Sequence, residues 1–98
     1  MNDQLTRLQD WYLNQCNEEW EHHYGVLIDT LDNPGWRLTV NLMGTRFEGL
    51  DFSPMARKSS ETNWVDCSIR EGSFVGFGGP MKLTELISIF LDWIASIS

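Results

Sequence analysis

Only two cysteines, Cys16 and Cys67, occur in the 98 residues, too few for a disulfide framework. Both are expected as reduced, buried thiols, because an unpaired cysteine behaves as a small hydrophobe. Long apolar runs are also missing. The longest apolar segment, Leu83 to Ile97, is interrupted by Thr84, Glu85, Ser88, Asp92 and Ser96 and is too short and too polar to span a bilayer. No charged segment followed by an apolar one opens the chain, so no secretory signal is read and a cytoplasmic location is expected. Positive charge is scarce: 7 Lys and Arg stand against 14 Asp and Glu, a net of -7. That balance argues against nucleic acid and anionic membranes as partners, since binding them requires cations that displace counterions.

What is present is a globular composition, 42% hydrophobic and 21% charged. The length suits one domain over residues 1–98 with a modest core. The negative charge is uneven. Residues 1–36 hold seven acids (Asp3, Asp10, Glu18, Glu19, Glu21, Asp29, Asp32) against Arg7 alone, a net of -6. A surface of that kind favours a basic partner and fast, salt-sensitive association, although it also serves solubility.

Leu5, Leu8, Tyr12 and Cys16 recur at spacings of three and four, which predicts a helix over 3–16 with these residues inward and Trp11 on the flank. Asp3 suits its N-cap. Residues 24–31 and 36–43 alternate as two strands, with Tyr24, Val26 and Ile28 on one side of the first and Trp36, Leu38, Val40 and Leu42 on one side of the second. The DNPG between them predicts a hairpin with type II chemistry, Pro34 fixing the first central angle and Gly35 taking a positive φ. Arg46–Phe52 and Met55–Ser59 read as short strands broken at Ser53-Pro54. Residues 64–70 alternate, with Val65, Cys67 and Ile69 on one side, and 73–77 form a last short strand. GFGGP then leads into a helix over about 81–96, with Leu83, Leu86, Ile87, Phe90, Ile94 and Ile97 on one face. The sum is an α+β domain of two layers, an antiparallel β-meander of about five strands flanked by an N-terminal and a C-terminal amphipathic helix.

The segment Gln15–Gly25, QCNEEWEHHYG, packs a thiol, three carboxylates, two imidazoles, a Trp and a Tyr into eleven residues. A metal needs about four converging ligands. His22 and His23 are adjacent and point apart on a helix or a strand, so no metal is expected. Cys16 and His22 could make a nucleophile–base pair, but the thiol falls on the apolar face of the first helix, where it is inert. GFGGP lacks the GK[ST] ending of a phosphate loop, and Gly79-Pro80 suffices as a helix entry, so no cofactor is expected. Two readings remain: a solvated acidic face with Trp20 and Tyr24 partly in the core, since a Trp buries a large area, or an interface in which aromatic residues anchor and carboxylates steer toward Arg or Lys on a partner. The residues expected to form such an interface are Glu18, Glu19, Trp20, Glu21, Asp29 and Asp32, with Trp64 and Asp66 after them.

The run LQDWYLNQCNEEWEHHYG, then LDNPGW, then a strand beginning at Trp64, then GFGGP and a helix with IFLDW, resembles the bacterial immunity protein 53 family. The most specific pieces are WEHHYG (Trp20 to Gly25) and LDNPGW (Leu31 to Trp36) at this spacing. The resemblance implies an immunity protein of a polymorphic toxin system, encoded beside its toxin and binding that toxin's toxic domain. It implies an α+β fold and carries no catalytic residue over. Two other readings stay open on the residues alone: a small enzyme using Cys16 and His22, and an adaptor that forms a homodimer through its aromatic surface.

Overall fold

The structure, a computed structural model describing residues 3–97, begins with helix α1 (Gln4–Gln15). Asp3 caps it, its carboxylate accepting from the Thr6 amide at 2.7 Å. A single turn, α2 (Trp20–His23), follows. Strands β1 (Val26–Leu31) and β2 (Gly35–Asn41) form the expected hairpin. Its turn differs from the expectation: Gly35 does not have a positive φ. It pairs with Leu31 as the first residue of β2. A Cβ on Gly35 would stand 2.3 Å from the Gly78 carbonyl oxygen, so what the position requires is a close backbone approach.

Three more strands complete the sheet: β3 (Met55–Lys58), β4 (Trp64–Arg70) and β5 (Ser73–Gly78). Residues 46–50, expected as a strand, instead run through turns that bury Phe47. All neighbouring strands are antiparallel, in the order β1-β2-β5-β4-β3. The α+β architecture of five strands and two terminal helices is therefore as expected, but the order is not sequential. β5 lies in the middle and joins the β1–β2 hairpin to the β3–β4 pair.

The final helix, α3 (Leu83–Ser96), lies across β2 and β5, and α1 packs beside it. The core fills the space between this helical layer and one sheet face: Leu38, Val40, Phe74, Val65 and Cys67 from the sheet meet Leu86, Phe90 and Ile94 from α3. Burial of each large apolar side chain contributes about 1.5–3 kcal/mol. The helix can sit low because β5 offers Gly76 and Gly78, and the Leu86 methyls would lie 3.2 and 3.3 Å from a Cβ at either position.

α1 is rotated relative to the expectation. Leu8 and Trp11 are buried, whereas Leu5 and Tyr12 are exposed. Trp11 is held by perpendicular ring contacts, to Phe90 at 5.0 Å and Trp20 at 5.9 Å. Aromatic pairs add energy beyond their area, and here they outweigh an aliphatic stripe. Cys67 is fully buried as expected, but Cys16 is only half-buried.

Candidate partner-binding surface

The Gln15–Gly25 segment is organised by its own side chains. The Asn17 carboxamide oxygen accepts from the backbone N–H of Glu19 (3.0 Å) and Trp20 (2.9 Å), opening α2. Glu21 reaches back, its two oxygens accepting from the Asn17 and Glu18 amides at 2.8 Å each. This reciprocal arrangement satisfies donors that a helix start leaves unpaired. Backbone N–H groups, its own first and then those of Asn17 and Glu18, hold the Glu21 carboxyl below its ordinary range. The loop also bends through Glu18, which adopts φ 74°.

These contacts divide the expected interface residues. Glu21 is occupied in holding the loop. Trp20 is 3% exposed and sits in the core against Trp11 and Tyr12, so it cannot act as an exposed anchor. Its large ring takes the deepest position that the short α2 turn offers. Glu18 and Glu19 are exposed, and among the described residues their carboxylates have no partner. Asp32 is equally free, in the turn beyond β1. Glu18 and Glu19 precede β1 and Asp32 follows it, so they flank the strand and do not cluster.

Asp29, Trp64 and Asp66 belong to a different surface. The register places Asp29, Arg37, Phe77 and Asp66 in one row across β1, β2, β5 and β4. Their side chains point to the sheet face away from the helices. Asp29 is not free: Arg37 grips it with two hydrogen bonds, one from Nε at 3.0 Å. That pairing lowers the Asp29 pKa and raises that of Arg37. Asp66 lies three strand spacings away, about 14 Å. Trp64 is half-buried at the far side, above a pocket of about 330 Å³ that also holds Arg57, Lys82 and Glu85. The row therefore alternates in charge, with the Arg70 guanidinium over Phe77 at 5.5 Å.

Sequence reasoning missed the exposed apolar groups beside β1. Leu27 is 54% exposed. Leu8, Gln9, Tyr12 and Val26 line a groove of about 230 Å³ between α1 and β1. The signal was present in the Leu5–Leu8–Tyr12 stripe, part of which faces this groove and not the core. The Cys16 thiol donates to the Tyr12 carbonyl of its own helix at 3.3 Å, and among the described residues no imidazole pairs with it. Nor do three His, Cys, Asp or Glu side chains there gather as a metal would require. No described helix is long and apolar enough to cross a membrane.

No curated protein and no solved structure matches this chain. A family model does: the one described as immunity protein 53 matches residues 5–95, which takes in α2, all five strands, the acidic loop and all but the outermost residue of α1 and of α3, and the chain therefore belongs to the immunity protein 53 family.

Proposed function

We propose that this immunity protein neutralises its toxin without chemistry, by binding the toxic domain and covering its working groove with an acidic surface. The supporting observation is the charge asymmetry: the N-terminal 36 residues carry -6, and Glu18, Glu19 and Asp32 are exposed with no ion pair among the described residues. Carboxylates of this kind raise association rates with a cationic partner and can occupy the positions of substrate phosphates if the toxin is a nuclease. Asp29, Trp64 and Asp66, on the open sheet face, form a second and more neutral contact region. Glu21 serves indirectly by fixing the loop that presents Glu18 and Glu19. The toxic domain is the partner; a cofactor has no part in this mechanism. The enzymatic alternative loses its support from geometry, because the Cys16 thiol turns back onto its own helix.

The test is the triple variant Glu18→Lys, Glu19→Lys, Asp32→Lys, leaving Glu21 intact. Its association rate with the toxic domain should fall roughly tenfold at low salt, and the salt dependence should flatten. An unchanged on-rate would remove the acidic surface from the mechanism.

A further inference from the structure

The outer edge of β1 is the least protected stretch of backbone in the sheet. Asn41 donates to the Gly25 carbonyl at 3.0 Å, which sets the phase of the ladder: residues 27, 29 and 31 bond to β2, and Val26, Ile28 and Thr30 turn their N–H and C=O groups outward. Among the described residues nothing pairs with those six groups. On the helical side, the edge is bordered by the apolar groove of Leu8, Tyr12 and Val26. On the other side stands exposed Leu27. An unpaired edge beside an apolar groove is the geometry by which a sheet accepts an extended segment as an added strand, with alternate side chains entering the groove.

Resting on the toxin-binding reading above, we infer that a basic, extended segment of the toxic domain adds to the free edge of β1 as a sixth strand. Its apolar side chains enter the α1–β1 groove and its lysines or arginines meet the flanking carboxylates. Charge selects this occupant. The elements around the edge hold Asp10, Glu18, Glu19 and Asp32, none ion-paired among the described residues. Of the arginines nearby, Arg7 is hydrogen-bonded to Gln4 and Arg37 is paired with Asp29. A second copy of this chain would bring the same four carboxylates against them, whereas a cationic strand is attracted at every step of docking.

The experiment follows amide hydrogen exchange of the full chain, alone and with the C-terminal domain of the secreted protein encoded beside it. The amides of Val26, Ile28 and Thr30 should exchange freely alone and become protected in the complex. Thr30→Pro removes an outward donor without breaking a β1–β2 bond, and it should weaken binding roughly tenfold or more. Ala56→Pro, the equivalent change on the opposite edge, should leave binding unchanged. Gln9→Lys, exposed in the groove, should weaken binding even if Thr30→Pro does not fold. Tight binding with β1 amides still exchanging, or with Gln9→Lys and Thr30→Pro both silent, overturns the edge and leaves the toxin-binding reading standing. Absence of any complex overturns both. Concentration-dependent protection of β1 in the protein alone would assign the edge to a second copy and end the proposal.

Discussion

At one rim of the sheet, β3 runs four residues, is entered from Pro54 and ends in Arg57-Lys58; at the other, β1 runs six residues with no proline, lysine or arginine. Only Ala56 and Lys58 turn backbone outward on β3, as the Ser59–Asn63 bond sets that phase. Shortness, proline and lysine are the means by which natural sheets discourage a neighbouring chain from pairing. β3 has all of them. β1 has a single charge, Asp29, and that is tied to Arg37. The difference teaches that the two rims meet different demands. One carries the features that discourage pairing, and the other keeps more of its pairing groups available.

The largest expected effect tests whether the guarded rim is also shut. Cys67 lies in register with Met55 of β3 and Gly76 of β5. Burial first, and the nearby Asp66 carboxylate after it, push its thiol up to about 12. At pH 8 only on the order of one Cys67 in ten thousand is thiolate. Cys67 should therefore react with an aromatic disulfide reagent at least about a hundredfold more slowly than half-buried Cys16. Comparable rates for the two thiols would mean that β3 opens readily, and the contrast between the rims would weaken.

Next come the two glycines that seat each half. Gly35→Ala drives a methyl into the Gly78 carbonyl, and Gly79→Ala drives one to 2.0 Å from the Thr62 carbonyl beside β4. Each should cost about 3 kcal/mol in urea unfolding. A neutral Gly35→Ala would show that the β1–β2 hairpin is not held to β5 by this approach. Smaller still is the edge proline itself: Thr30→Pro should change stability by less than about 1 kcal/mol, because among the described residues its N–H bonds nothing. A large loss would mean that the β1 edge is already paired.

The smallest effect is acidification, which acts on both halves. Asp29 is lowered chiefly by its hydrogen bond from Arg37, and Glu85 chiefly by that from Lys82, with Arg57 adding to it. Both carboxyls titrate below their unfolded values, near 3.8 and 4.5 respectively. Their contribution is thus present above those values and is lost as pH falls through the lower, folded ones. Carboxyl carbon resonances should locate both midpoints. A midpoint at or above the ordinary value for Asp29 alone would free that charge for a partner and alter the account of β1.

Much of this was legible in the residues. Period-two alternation located β1, β2 and β4, and the period-3.6 stripe located α3, because each element buries one face; β5 was read as a short strand beyond a turn. The rotation of α1 was not legible. Leu5–Leu8–Tyr12 forms a clean stripe, and only the positions of Phe90 and Trp20 explain why Trp11 turns inward in its place. Strand order escaped for a similar reason, since no local pattern states that β5 inserts between β2 and β4. The site was legible in its charges and illegible in their occupation. Asp29 faces Arg37 only once the hairpin register is known, and Glu21 looks like Glu18 and Glu19 until its two oxygens are seen capping a turn.

The central place of β5 also bears on how the polypeptide matures on the ribosome. Isolated two-stranded hairpins are marginal in water, and β1–β2 and β3–β4 are no more than that until residues 73–78 emerge to zip them together. The chain gains a sheet of full width only once residues 73–78 are in place between β2 and β4, and α3 then closes it. Any fragment ending before Ser73 would hold two ribbons with no strand to join them.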